Sequence, residues 1–317
     1  MEMRQQIIHD EGLEGKLAGK VILITGCSSG IGIETARALS TTGATLYLTA
    51  RDLSKAHAAL GTLAHDPKNN IHLLELDLSS LASVRTCAAE FLRRSPTLNI
   101  LINNAGIMVP PEGRTADGFE TQFGTNHLGH FLLTQILKHT LIASATPELP
   151  SRLIMVSSSA HRASEVDFTD SNFASRDYDA WTAYGQSKTA MIWTANEIDR
   201  RYGAQGLHAF SLHPGSIASG LQKYVSDELR QRWAGEIPAD SLAAAAKSPE
   251  QGAATTVWAA VAKCLEGKGG LYLEDCQIIG PLAADAGLLD PGYAPWVYDG
   301  SRAERLYGLS MKLVGME

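Results

Sequence analysis

Short, continuous apolar runs alternate along the chain with longer stretches whose apolar residues recur every three or four positions. The run at residues 21–24 has the length and composition of a strand buried on both faces, 152–156 reads as another buried strand, and strands are also predicted at 44–49, 71–76, 99–102 and 207–212, with a last short one at 271–273. Between the first two, Ile33, Ala36 and Leu39 stand at helical spacing until Gly43 ends the helix. Helices are predicted over 53–64 and over 80–94, the second with Val84 and Phe91 on its buried side. A long helical stretch runs from Asp117 toward Ile142, another carries Tyr184 and Lys188, and two more cover 249–265 and 302–314. Strand and helix alternate without interruption, which predicts an α/β fold with a single doubly wound parallel sheet, helices on both faces and a C-terminal extension. In such a sheet ligands bind at the carboxyl ends of the strands.

Several strand ends carry candidate chemistry. The first strand feeds into Thr25-Gly26-Cys27-Ser28-Ser29-Gly30-Ile31-Gly32 and then a helix. Glycines at such a turn allow tight bending and close approach of backbone to a pyrophosphate, whose charge the helix N-terminus stabilises. The spacing Gly-x-x-x-Gly-x-Gly departs from the common Gly-x-Gly-x-x-Gly, but its frame of strand and helix predicts dinucleotide binding of the Rossmann type. After the second strand stand Arg51 and Asp52. A guanidinium there suits the 2′-phosphate of NADP, where a carboxylate would favour NAD, and Asp52 is placed to cap the next helix. Asp77 and Asn104 end the third and fourth strands, and Ser157, Ser158 and Ser159 end the fifth. No Gly-x-Ser-x-Gly elbow surrounds these serines, so Ser158 is read as a hydrogen-bond donor to a substrate oxygen and not as a nucleophile. Tyr184 and Lys188, four residues apart, share a helix face, and a fixed ammonium favours a phenolate. Alone that pair is weak, since any long helix can carry it. In Asn126-His127-Leu128-Gly129-His130 the glycine inside an apolar helix suggests a kink or a polar task for Asn126, whereas His127 and His130 lack a third ligand at metal-binding spacing and are read as structural or surface residues.

Composition narrows the class. The 317 residues, 44% hydrophobic with 29 glycines, suffice for one large α/β domain or two smaller ones. Twenty-seven basic against 34 acidic residues, with no basic run, argue against nucleic acid or an anionic membrane as partner. Cys27, Cys87, Cys264 and Cys276 lie far apart, suggesting neither zinc nor a disulfide framework. The first twenty residues lack the apolar core of a signal peptide, and no apolar run approaches the ~18 residues needed to span a membrane. The expectation is a soluble, cytoplasmic protein with reduced thiols and no metal.

Taken together and in order, Thr25-Gly-x-x-x-Gly-x-Gly32, Asp77-Leu78, Asn103-Asn-Ala-Gly106, Asn126, Ser158, Tyr184-x-x-x-Lys188 and Pro214-Gly215 resemble the short-chain dehydrogenase/reductase family over nearly the whole chain. Ala50-Arg51-Asp52, Asn126-His-Leu-Gly-His130, the Ser-Ser-x-Ala-His run ending at His161, the 26 positions separating Ser158 from Tyr184, and Gly270-Leu-Tyr-Leu-Glu-Asp-Cys276 are similar to its retinol-dehydrogenase-like and WW-domain-oxidoreductase-like branch. The resemblance implies that Tyr184 is the proton donor, that Ser158 binds the reacting oxygen, and that Lys188 lowers the tyrosine pKa and binds the nicotinamide ribose. Asn126 would hold a water linking the lysine to solvent. It further implies that Gly26, Ser28, Ser29, Gly30, Ile31 and Gly32 bind NADP(H) together with Arg51, Asp77, Leu78, Asn104, Ala105 and Gly106. Pro214, Gly215, Ile217 and Ser219 would surround the nicotinamide and phosphates. The branch more often has threonine at the position of Ser219; the hydroxyl is retained.

The resulting expectation is one dinucleotide-binding and catalytic domain over 1–317, with an N-terminal arm (1–19), a substrate lid (216–247, containing Leu221, Tyr224, Leu229, Trp233 and Ile237) and a C-terminal extension (277–317) whose tail, with Trp296, Tyr298 and Asp299 ahead of the last helix, packs against the domain and closes one side of the pocket. It would act as an NADPH-dependent carbonyl reductase or alcohol dehydrogenase on a small to medium apolar substrate, with room for a homodimer. A catalytically silent NADP(H) sensor is the alternative from another class, and the intact Asn126, Ser158, Tyr184 and Lys188 set argues against it. An enzyme of the same fold acting on an enone or in redox-neutral chemistry also stays open.

Overall fold

Val21 and Leu23 project into one apolar core and Ile22 and Ile24 into another, so the first strand is buried on both faces. The structure, a computed structural model, describes residues 3–66, 69–217, 219–229, 231, 245–287 and 289–317. Its main strands are β1 (Val21–Thr25), β2 (Thr45–Ala50), β3 (Ile71–Glu75), β4 (Ile100–Asn103), β5 (Ser151–Val156) and β6 (Leu207–His213). A short pair, β7 (Ser216–Ile217) and β8 (Ala246–Lys247), precedes β9 (Leu271–Glu274) and β10 (Gln277–Ile278). The main sheet has the order β3-β2-β1-β4-β5-β6-β9-β10 and is parallel except for the terminal β9–β10 hairpin. Strand order reverses between β1 and β4, which leaves a crevice where the loops after these two strands diverge.

One face is covered by α1 (Met3–Asp10), α2 (Ile31–Ser40) and, later in the chain, a helix over Pro249–Val261. The other carries helices over Leu81–Arg94, Gly129–Ser144, Ala180–Tyr202 and Gly300–Leu313. With α3 (Leu53–Leu60) and α4 (Thr62–His65) counted, those five helices are α8, α5, α6, α7 and α9 respectively.

The N-terminal arm is more than a solvated leader, because α1 docks on α8 with Ile8 buried, and on α2, where buried Arg4 pairs with Glu34 at 2.6 Å. The helix expected over 53–64 is split at Gly61, whose φ of 54° ends α3. The long helical stretch begins only at Thr121, since residues 114–120 form a turn closed by an Arg114–Glu120 bridge. There the Glu120 carboxylate accepts from the backbone N–H groups of Gln122 and Phe123 and so caps the helix that follows. Trp233 and Ile237, read as lid residues, lie outside the described residues.

Gly32 fixes the packing of α2 against the sheet, because a Cβ there would run into the carbonyl oxygen of Gly26 and lie 2.8 Å from Asn104 Nδ2. Gly32→Ala is therefore expected to destabilise the protein by about 1–3 kcal/mol through overpacking. Chemical denaturation checks this, and an unchanged midpoint would show that the turn yields freely.

Candidate active site

At the carboxyl end of the sheet lies a cavity of about 1140 Å3. Ser158, Tyr184 and Lys188 line it together with every residue given above a cofactor-binding role, from the glycine loop to Ser219. Asn126 stands behind this lining.

The glycine loop is held from both sides. Gly26 N–H and Cys27 N–H both donate to the carbonyl of Thr49, at 3.0 and 2.9 Å, tying the loop to the end of β2. The Thr25 hydroxyl accepts from the N–H groups of Asn104 and Ala105, each at 2.9 Å, and Asn104 Nδ2 donates to the Thr25 carbonyl at 2.8 Å. Asn104 is thus a brace between β1 and β4. At the start of α2, Gly30 has φ 63°, and no side chain caps the first N–H groups of the helix. Among the described residues a Cβ on Gly30 would come no nearer to other atoms than 4.0 Å, at Ser219, so the backbone here faces the cavity. Uncapped helical donors beside open space fit a pyrophosphate. Asp77 turns its carboxylate onto Ser79 N–H and hydroxyl, at 2.9 and 2.7 Å, which leaves Leu78 and the turn backbone lining the cavity. Arg51 is exposed at the cavity edge, and Asp52 caps α3 by accepting from Lys55 N–H at 2.9 Å, as its position suggested. Lys55, not singled out from the sequence, lines the same end; as a second basic residue one turn beyond Arg51 it was open to notice.

The segment around Asn126 is a π-helical turn (Phe123–Leu128), the irregularity that Gly129 announced. Asn126 Oδ1 accepts from Ile107 N–H at 2.9 Å, while Nδ2 donates to the Ile107 carbonyl and to Ser187 Oγ, both at 3.0 Å. What the structure gives this side chain is a fixed grip on the loop after β4 and on the helix of Tyr184. His130 is wholly buried and bridges: Nδ1–H donates to the Asn126 carbonyl at 2.8 Å, so Nε2 is left to accept from the Thr25 hydroxyl at 2.9 Å. His127 is equally buried and bonds Ser310 of α9 at 2.8 Å. Both histidines are structural and neither is at the surface. Among the described residues no cluster of potential metal ligands occurs.

Asp179 caps α7 by accepting from Thr182 N–H, and the helix carries Tyr184 and Lys188 into the cavity one turn apart. The Ser158 hydroxyl acts on the Tyr184 phenol to lower its pKa, but burial outweighs this and pushes the phenol up to about 12. Lys188 Nζ donates to the Val156 carbonyl at 2.9 Å and stands 5.6 Å from the Tyr184 ring centre. Burial depresses its pKa to about 7. The expectation that Lys188 brings the tyrosine pKa down is thus not met in the protein by itself. Desolvation acts on both groups, and an ammonium only partly charged at neutral pH exerts a weak field.

Tyr184 packs with Met108, Val109, Ala160 and Val225, with Trp181 and Leu229 against them, so the Tyr184 end of the cavity is apolar. Trp181 lies one turn before Tyr184, its ring centre 5.7 Å away, a spacing legible in the sequence but not used. Leu221 and Tyr224 of the expected lid line the cavity, as do Leu282, Ala286 and Leu289 of the C-terminal extension. Ile217 packs where a side chain on Gly252 of α8 would otherwise sit, and Gly215, with φ 97°, makes the turn after Pro214 beside Lys247. Among the described residues no helix is long and apolar enough to cross a membrane.

This arrangement is shared with known proteins. A sequence model described as short chain dehydrogenase matches residues 20–230. The short-chain dehydrogenase/reductase prx1 of Penicillium rubens is 48% identical over 98% of this chain and 89% of its own length. Human retinol dehydrogenase 12 is 38% identical over 95% and 88%. Among solved structures, an uncharacterized protein from Mycobacterium paratuberculosis is 34% identical over 95% of both chains with a TM-score of 0.70. The Pseudomonas aeruginosa RhlG/NADP active-site complex is 25% identical over 81% of this chain and 95% of its own, with a TM-score of 0.63. Sheet order, glycine turn and the helix of Tyr184 and Lys188 are therefore those of an oxidoreductase family, and the chain belongs to the short-chain dehydrogenases/reductases, in their retinol-dehydrogenase-like branch.

Proposed function

We propose that the protein is an NADPH-dependent carbonyl reductase or alcohol dehydrogenase acting on a small to medium apolar substrate. The observation that carries this reading is that Tyr184, inside an apolar wall, lines one cavity with Ser158 and with the uncapped start of α2. Bound NADPH supplies the hydride to the carbonyl carbon. Ser158 donates to the carbonyl oxygen and shares its developing charge, and Tyr184 transfers the phenolic proton to that oxygen as the carbon is reduced. Because burial keeps the phenol protonated at neutral pH, the resting site holds the acid form that reduction requires. Lys188 offers its remaining N–H donors to the nicotinamide ribose and to the phenolate left after proton transfer. Asn126 holds α7 and the loop after β4 in register.

Both halves of the site stand on one sheet, which supports reading 1–317 as a single catalytic domain with 216–247 as its lid. The apolar surroundings of Tyr184 favour ketones and aldehydes with hydrocarbon substituents. Following NADPH absorbance against a panel of ketones, aldehydes and enones tests the reading. Turnover of carbonyls supports it, and a panel without turnover, with NADPH bound, would leave the sensor reading in its place.

NADP preference rests on Arg51, with Lys55 beside it at the same end of the cavity. A charge-assisted contact to the 2′-phosphate is worth roughly 1.5–3 kcal/mol. Arg51→Asp is therefore expected to weaken NADPH about ten- to a hundredfold in a calorimetric titration while affecting NADH far less. Equal wild-type affinity for NADH and NADPH would refute the preference.

A further inference from the structure

His161, three residues after Ser158, is fully buried and makes one hydrogen bond with each ring nitrogen. Nδ1 lies 2.7 Å from the Ser158 carbonyl, which can only accept, so Nδ1 carries the proton. Nε2 is then the acceptor, and it receives the backbone N–H of Ala294 at 3.1 Å. The tautomer is fixed by its two partners. Next to it, Arg162 donates from Nε and Nη2 to the carbonyl of Gly292 at 3.0 and 2.7 Å. Two consecutive residues of the serine loop thus hold two backbone groups of the C-terminal extension.

These anchors sit at the neck of a loop that walls the cavity. Pro281 and Tyr293 form a β-bridge, and Leu282 N–H donates to the Tyr293 carbonyl at 2.9 Å. Gly292 permits the approach, because a Cβ on it would lie 2.6 Å from Leu282 Cα. Beyond the neck, Leu282, Ala286 and Leu289 line the same cavity as Ser158 and Tyr184. The wall is not part of the sheet; its placement relative to the reacting groups depends on the neck.

We infer that His161 is a positioning residue, which locks the C-terminal loop bearing Leu282 and Leu289 to the backbone of Ser158 and so sets the distance between the apolar substrate wall and the reacting carbonyl. The kinetic part of this inference rests on the carbonyl-reduction reading above, whereas the structural part does not. Substrates with a bulky apolar group reach the wall and depend on the lock, and small carbonyls depend on it less.

Two conservative variants separate the two ends of the lock. A His161→Asn side chain can still donate to the Ser158 carbonyl but falls short of Ala294, whereas His161→Gln can reach Ala294 N–H with an acceptor and loses the donor placed for Ser158. Hydrogen exchange read by mass spectrometry on the peptide containing Ala294, and kcat/KM for one bulky and one small ketone, are measured for wild type, both variants and Leu289→Ala. Leu289 is only partly buried and leaves His161 untouched, so that variant keeps the inference testable if a histidine variant fails to fold. The expected result is exchange about tenfold faster in His161→Asn than in His161→Gln. The bulky-to-small preference should fall about tenfold in His161→Asn and in Leu289→Ala, as loss of apolar contact in a pocket commonly causes, with NADPH affinity within about twofold of wild type. Equal exchange in the two histidine variants overturns the lock. Faster exchange without a change in preference, or an unchanged preference in Leu289→Ala, overturns the wall. If wild type reduces no ketone, the carbonyl-reduction reading fails, and the exchange comparison still decides the lock.

Discussion

Tyr184→Phe is expected to lower the single-turnover rate of hydride transfer 10²- to 10⁴-fold while leaving NADPH affinity within about twofold. The substitution removes the transferable proton and nothing else, because the ring keeps its packing against Met108, Val109, Ala160 and Val225. Ser158→Ala should also cost turnover, through the lost bond to the developing oxyanion. On the proposed mechanism Lys188 stabilises the Tyr184 phenolate, so the double variant Tyr184→Phe with Lys188→Met should lose far less than the product of the two single losses. Multiplicative losses would show that the two residues work independently. Since Lys188 is buried with its pKa depressed to about 7, raising the pH above neutrality in the protein alone should discharge it, and Lys188→Met should tolerate alkaline pH as well as wild type does.

The second large effect concerns acid. His127, His130 and His213 are held near pKa 3 and His161 near 4, in each case first by burial. All four are therefore neutral in the folded state at pH 5, where the unfolded chain, titrating near 6.5, takes up protons. The folded-state pKa values are depressed, so the stability they allow is present in full above about pH 6.5 and falls progressively as pH drops toward 4. The slope is about 1.4 kcal/mol per pH unit for each histidine. Glu274, raised by burial to about 7, binds a proton more readily when folded and opposes one of the four. A net loss of about 4 kcal/mol between pH 6 and 5 is a large part of a typical 5–15 kcal/mol. Urea midpoints measured from pH 8 to 5 should fall steeply below 6.5; a flat series would mean that the buried imidazoles find protons or partners in the folded state.

Much of this was legible in the sequence, for identifiable reasons. A continuous apolar run marks β1 because its strand is buried on both faces, with alternate residues in two cores and hence no alternation of polar positions. The glycine turn and Ser158 stand out because ligand chemistry sits at strand ends in this fold, and the Tyr184–Lys188 pair because residues four apart share a helix face. The errors came where side chains rather than periodicity decide structure. Glu120 caps a helix across a turn, so the helix start was placed near Asp117 and not at Thr121. Gly61 adopts a positive φ that breaks a helix whose apolar pattern continues. Desolvation of Tyr184 and Lys188 could not be read from their spacing, and it reverses the direction of the tyrosine shift. His161 and the wall bearing Leu282 and Leu289 are 121 or more positions apart in the chain, and only the fold brings them together.

The central claim, hydride delivery to a carbonyl carbon, is tested most directly by isotope transfer. NADPH carrying deuterium at the transferred position of the nicotinamide is incubated with the protein and an apolar substrate that offers both a carbonyl and a conjugated double bond. Mass spectrometry of the product then locates the label. Deuterium on the carbinol carbon is the result predicted for Ser158 and Tyr184 acting on the carbonyl oxygen; deuterium on the carbon β to an intact carbonyl, or unlabelled substrate recovered beside bound NADPH, would contradict it.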